Sequence, residues 1–366
     1  MKKSFFKREE LVKMVSIRPF KSMDNNALLD MEKLCPQGSE SLAWGADDGP
    51  DITNRYKIYD NWNLIIAEEA GRVVGSIGST LKETDDGRTY VYLTEVNVTP
   101  DFQNRGIASE LVGEVEKKAK DVGADHVYCY IFEPNKSSID LFEDLGYQKV
   151  KDVKSCGLST YKEQELDGRF RIEAVKEKDI PNVVNLINDY YSQYEHFKAY
   201  TSESFKDHLN SIPGYGMENF WVLKRDGELM ACAGLWDFSS LSKLYMSKEH
   251  TSMKIMGGIF RFLSNFRAMP YIPPEGEYFK LNQIVDHAFK TGNSDAVVNL
   301  LLHLNNVMVN SGKDAMILNL DPNDILLNTV NGMHPIIENW GLFIKKFKEK
   351  EEEFGLIYVD MRDMLI

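Results

Sequence analysis

The residues best suited to chemistry are concentrated in Thr94-Glu-Val-Asn-Val-Thr-Pro-Asp-Phe-Gln103-Asn-Arg105-Gly106-Ile-Ala108-Ser-Glu-Leu111. A β-branched strand runs into a short loop, Gly106 and Ala108 stand two apart, and a helical pattern begins at once. The start of a helix leaves backbone N–H groups unpaired and carries partial positive charge, so it is a ready anion site. Gly106 and Ala108 let the backbone approach a ligand, while Gln103, Asn104 and Arg105 add donors on one side and Ile107 opens the helix on the other. The pattern suits a pyrophosphate. A second segment, Pro134-Asn135-Lys-Ser-Ser-Ile-Asp-Leu-Phe142-Glu-Asp-Leu-Gly146-Tyr147, closes the next strand and opens the next helix.

Those segments need a framework. Val15–Pro19 reads as a strand, and Asp24 as the N-cap of a helix through Leu28, Leu29 and Met31. Leu64 to Gly78 reads as a hairpin turning at Gly71, and Thr89 to Val98 as a longer strand. A helix from Gly106 to Val122, a strand from His126 to Phe132, a helix from Ser137 to Leu145 and a strand from Lys154 to Tyr161 follow. The order then repeats. Ile172 and Asp179 pair with Ile17 and Asp24, Gly227 and Gly234 with Gly71 and Gly78, and Gly312-Lys-Asp314 with Gly123-Ala-Asp125. The separation between partners grows along the chain, as a duplication with insertions leaves it. This organisation predicts an extension over 1–14, a first domain over 15–161, a linker over 162–169 and a second domain over 170–366. The insertion at 237–277 in the second domain is a candidate lid or substrate pocket, or simply packing, and a strand near Val359 to Arg362 closes the chain.

Together the two segments resemble the GNAT acetyltransferase superfamily, over roughly Val15 to Tyr161. Less closely, the whole layout is similar to plant HOOKLESS-type acetyltransferases. The resemblance implies a mixed α/β class: two tandem acyl-CoA N-acyltransferase folds, each a splayed mixed sheet flanked by helices. It implies acetyl-CoA as cosubstrate, with Val96, Asn97 and Val98 on the pantetheine arm and Gln103 to Ala108 on the pyrophosphate. Asn135 and Phe142 complete the cofactor site.

Acyl transfer to an amine needs a neutral nitrogen, a stabilised oxyanion and a proton for the departing thiolate. The backbone N–H near Val96 would serve the oxyanion, by resemblance. Glu95 is the candidate base, turned toward the site by a strand bulge as in relatives, against the reading of an exposed strand carboxylate on the wrong face. Phe142 occupies the position where the family often places a catalytic Tyr, and Phe cannot donate a proton. Tyr130, Tyr147, Tyr92 or a water could supply it. Glu133 is either a second base or a solvated strand end.

In the second half, Gly292-Asn-Ser294-Asp295-Ala-Val297 aligns with Gln103 to Ala108, which puts Asp295 in place of Gly106, as a helix cap that repels phosphate. The second copy is therefore expected not to bind CoA.

With 366 residues, 43% apolar and 27% charged, the chain suits two globular domains. A net charge of -13 argues against nucleic acid and favours a cationic acceptor. No metal is expected: His126 and His287 lack ligand spacing, and Cys35, Cys129, Cys156 and Cys232 are scattered, as suits a reducing cytoplasm. No membrane partner is expected, and a monomer fits the internal duplication. The leading reading is an N-acetyltransferase acting on a primary amine, of a small molecule or of a protein Lys or N-terminus, by direct attack in a ternary complex. The alternative is a non-catalytic acyl-CoA-binding regulatory protein.

Overall fold

The computed structural model describes residues 15–264, 266–348 and 354–365; the expected N-terminal extension falls outside them. The first half runs β1 (Ser16–Pro19), α1 (Asn25–Leu34), β2 (Gln37–Gly38), β3 (Ala43–Asp47), β4 (Trp62–Glu69), β5 (Arg72–Glu83) and β6 (Thr89–Val98). Then come α2 (Ile107–Asp121), β7 (His126–Phe132), α3 (Lys136–Asp144) and β8 (Gln148–Ser159). The second half runs β9 (Arg171–Ala174), α4 (Ile180–Tyr191), β10 (Tyr194–Glu195), α5 (Ser202–Ser211), β11 (Phe220–Arg225) and β12 (Glu228–Trp236). It continues with β13 (Lys243–Lys248), α6 (Thr251–Leu263), β14 (Leu281–Phe289), α7 (Ser294–Asn310) and β15 (Ala315–Leu320). The last elements are α8 (Ile325–Asn331), β16 (Ile336–Lys346) and β17 (Leu356–Ile357).

Twelve strands form one mixed sheet in the order β1-β4-β5-β6-β7-β16-β8-β15-β14-β12-β11-β9. The final long strand of each half has crossed over. β16 lies between β7 and β8, and β8 pairs β15 of the second half as well as β16. Two cores joined this way bury every strand edge at their junction, so neither half presents an open ladder there.

Helices cover the sheet because their apolar residues share one stripe. In α2, Ile107, Leu111, Val115 and Ala119 recur every fourth residue and are all buried, against Ile65, Val74 and Leu93 of the sheet. Both hairpins repeat a close contact. A Cβ on Gly78 would come within 2.3 Å of the Tyr56 ring, and one on Gly234 within 2.1 Å of the Tyr215 hydroxyl, so each glycine makes room for a tyrosine.

Three expectations are corrected. Asp24 is the N-cap residue of α1, but its carboxylate bonds no N–H of that helix; it pairs with Arg18 at 2.7 Å and accepts from the backbone N–H of Lys21, which opens the 3-10 turn before α1. The strand expected from Lys154 starts at Gln148, because β16 supplies it with a partner from Gln148 to Gly157. Val359 to Arg362 forms no strand; the chain turns there after β17 and packs against the first half. The insertion contributes β13 to a small sheet with β3 and β2, so it joins the two halves.

Candidate functional site

The parallel strands β6 and β7 pair at only three positions, Tyr90 to Tyr92 with His126 to Tyr128, and then diverge. Beyond that point β7 pairs on its other edge with β16. The gap opens into a cleft of about 530 Å³. Its walls are Thr94 to Val98 on one side and Cys129 to Ile131 on the other; the loop into α2 and the start of α3 form one end, and Trp340 with Asp363 to Leu365 the other. The second half therefore closes one end of the cleft.

At the loop, Gly106 sits at φ 80° as the N-cap of α2, with open space where a Cβ would be, and Asn104 at φ 59° completes a reversed backbone. Gln103, Asn104, Gly106, Ile107 and Ala108 line the cleft, as do Val96, Asn97, Val98, Asn135 and Phe142. Gln103 anchors the loop by donating to the Val98 carbonyl at 3.0 Å. Asn135 caps α3, accepting from the Ser138 N–H at 3.3 Å. Arg105 is placed otherwise than expected. Its guanidinium pairs with Glu69 at 2.5 Å, stacks over Phe102, and is not among the cleft-lining residues.

Glu95 stands at the bulge. The register of β5 and β6 shifts between Ser76 and Gly78, and Glu95 takes φ 54°, a strained value for a side-chain-bearing residue. The carboxylate is thereby turned inward. It lies 3.2 Å from Arg55 Nη1 and accepts from Asn97 Nδ2 at 3.1 Å. Burial raises its pKa above the ordinary carboxylate value, and the Arg55 charge works against that rise. Arg55 is itself buried, paired with Asp48 at 2.6 Å and donating to the Leu365 carbonyl at 2.6 Å. Glu32 adjoins this group, accepting from the Asp48 N–H at 3.3 Å. Burial and the charges of Asp48 and Glu95 push the Glu32 carboxyl up to about 9.

The tyrosines separate by position. Tyr92 lines the cleft, but its hydroxyl donates to the Asp363 carbonyl. Tyr130 lines the cleft with a buried hydroxyl that has no hydrogen-bond partner. Tyr147 is outside the cleft, packed edge-on to Phe142 at 4.9 Å, because the turn at Gly146 carries it beneath α3. Glu133 is exposed, bonded to Asn339, and also outside the cleft. Cys129 lines the cleft, but burial raises its thiol pKa well above the usual value, so it stays a thiol.

Sequence reasoning missed Glu32, Asp48, Arg55, Trp340 and the segment at Asp363. Asp363 accepts from Tyr59 at 3.0 Å and Tyr128 at 2.6 Å and pairs with Lys82, which bolts the end of the second half to the wall of the cleft. These residues come from separate loops and carry no local motif. Among the described residues, no three of His, Cys, Asp and Glu gather to hold a metal ion. No helix among them is long and apolar enough to cross a membrane.

The second half repeats the design with a different outcome. β14 and β15 pair in parallel over three positions and diverge, and Asp286 takes φ 46° at a register shift facing β12. Asp286 is held by His208 at 2.9 Å and Tyr215 at 2.8 Å. The gap holds only about 20 Å³, filled by Tyr191, Tyr194, His287 and Tyr358. The stretch between β14 and α7 is residues 290–293, whereas residues 99–106 join β6 to α2. Asp295 accordingly does not replace Gly106. The cap of α7 is Asn293, and Asp295 lies inside the first turn.

Residues 27–147 match the acetyltransferase (GNAT) family. An acetyltransferase of Pectobacterium atrosepticum is 29% identical over 37% of this chain and 89% of its own length. A GCN5-related N-acetyltransferase of Sphaerobacter thermophilus superposes with a TM-score of 0.61 at 13% identity, covering 92% of this chain and 96% of that one. A tandem GNAT protein from the clavulanic acid biosynthesis pathway does so at 0.57 and 10% identity, covering 92% of this chain and 100% of that one.

Proposed function

We propose, for a chain that is an acyltransferase of the GNAT superfamily, that it moves an acetyl group from acetyl-CoA to a primary amine by direct attack in a ternary complex. The amine belongs to a small molecule or to a protein Lys or N-terminus. One observation carries the reading: a single open cleft runs from the Gln103 to Ala108 loop, through the strand gap, to the inward carboxylate of Glu95. The catalytic unit is residues 15–161, completed by β16 and by the segment ending at Leu365.

In this reading the pyrophosphate lies on the N–H groups at the start of α2, and the pantetheine arm runs along Val96 to Val98. Backbone N–H near Val96 stabilises the oxyanion. Glu95 takes the proton that the amine releases as its nitrogen bonds the thioester carbon. A raised pKa makes it a stronger base than an ordinary carboxylate. As the C–S bond breaks, Tyr130 gives its proton to the thiolate. The inward turn of Glu95 supports the base over the wrong-face alternative, and the unpartnered hydroxyl supports Tyr130 over Tyr92.

The test is release of CoA from acetyl-CoA across a panel of amines, with Glu95→Gln alongside. Turnover lost in the variant while acetyl-CoA still binds supports the reading. Binding without turnover for every amine would instead make the chain a regulatory acyl-CoA binder.

A further inference from the structure

The insertion contains a feature that the acyl site does not use. α6 turns Met253, Gly257 and Phe260 toward the protein, where Ile272 packs against Gly257 and Arg261 donates to the Ile272 carbonyl at 2.8 Å. Its other face is apolar and open to solvent. Ile255 is 60% exposed, Ile259 51%, Phe262 64% and, just beyond the helix, Phe266 75%. The first three recur at i, i+4 and i+7, so they form one ridge, with Phe266 continuing it beside Phe262 at 5.6 Å. A soluble surface does not normally gather so many large apolar side chains on one short helix.

The charges beside the ridge have the opposite sign from the rest of the chain. Residues 248–267 hold Lys248, Lys254, Arg261 and Arg267 against Glu249 alone, in a chain of net charge -13. Exposed Glu275 pairs with Lys254 at 2.6 Å, and Glu277 accepts from the Tyr271 hydroxyl. We propose that α6 is a peripheral anchor that lays Ile255, Ile259, Phe262 and Phe266 onto an anionic lipid surface, with Lys248, Lys254 and Arg267 among the headgroups. An apolar face of Phe and Ile beside Lys and Arg is the composition of an interfacial helix. The acidity of the whole chain does not oppose this, because charges farther from the surface than about 8 Å are largely screened at physiological salt. A second copy is a poorer occupant. The ridge is convex, and two such helices face to face would bring like-charged Lys and Arg together. The helix follows directly from β13, which pairs β3 and through it β2, and Gln37 of β2 lines the cleft. The anchor is therefore built on the small sheet that borders the acyl site.

The experiment sediments the full chain with phosphatidylcholine vesicles, with and without phosphatidylserine, alongside Ile259→Asp/Phe262→Asp and Lys254→Glu/Arg267→Glu. Binding to the anionic vesicles, weakened by salt and reduced at least about tenfold in the first variant, is expected. The second variant should lose mainly the salt-sensitive part, so the inference does not depend on a single substitution. Both variants should melt as the parent does and bind acetyl-CoA with unchanged affinity. Equal sedimentation of parent and variants, or none, would overturn the proposal. So would a concentration-dependent dimer that the same substitutions abolish in the absence of vesicle binding.

Discussion

The two halves share a scaffold and differ in what fills it. Each has a parallel strand pair that splays after three positions and a bulge that turns a carboxylate inward, at Glu95 and at Asp286. In the first half the gap is a cleft of about 530 Å³; in the second, tyrosines and a histidine reduce it to about 20 Å³. The carboxylates are also held differently. Glu95 faces Arg55, which Asp48 already engages, whereas Asp286 is tied by His208 and Tyr215. In the first half the carboxylate, held by Arg55 and Asn97, stands beside open space. In the second the fold satisfies the carboxylate and closes the space, and the loop before the helix is shortened from residues 99–106 to residues 290–293. The splay and the bulge alone do not make a site; the room and the loop do.

The largest effect should come from exchanging equivalent carboxylates. Glu95→Gln is expected to lower kcat about 100- to 10,000-fold and to remove the acid limb of the pH profile. That limb arises because the base works only when deprotonated, above its raised pKa. Asp286→Asn should leave kcat within about twofold; a comparable loss there would end the distinction between live and silent halves. Asp48→Ala leaves Arg55 buried beside too little negative charge. Denaturant unfolding should register a loss of about 3–5 kcal/mol.

At the loops, Gly106→Asp puts a carboxylate and a strained backbone where phosphate would lie, and the Kd for acetyl-CoA should rise about 100-fold or more. Asn293→Asp, at the cap of α7, should leave that Kd unchanged. The smallest effect concerns the contact between halves. His126 and His196 meet at 3.0 Å, and burial lowers His126 to about 4 and His196 well below its usual value, with nearby Asp125 opposing the shift at His126. Below pH 6.5 the unfolded chain binds protons that the folded pair refuses, so stability falls as pH falls from there toward 4. At pH 5.5 His126 should contribute a loss of about 1 kcal/mol, and the drop in melting temperature should shrink in His126→Phe.

Local features were legible in the sequence. The strand, loop and helix from Thr89 to Asp121 lie in one stretch whose Gly106 and apolar spacing mark them, and the pairs Gly78/Gly234 and Asp24/Asp179 marked the repeat. What stayed hidden depends on contacts between distant segments. No periodicity tells β8 and β16 to trade places, since each would satisfy its backbone in either half. Arg55 and Asp48 sit in polar loops and acquire meaning only once burial pairs them. The alignment of Asp295 with Gly106 failed because counting residues cannot detect a shortened loop, whereas the helix start at Ser294 shows it directly.

The measurement that bears most directly on the contrast between the halves is calorimetric titration of acetyl-CoA into the full chain, with Gly106→Asp beside it. One site per chain, lost in the variant, is the predicted result. Two sites, or one that survives the substitution, would contradict it, because the second half would then bind the cofactor or the loop at Gly106 would not.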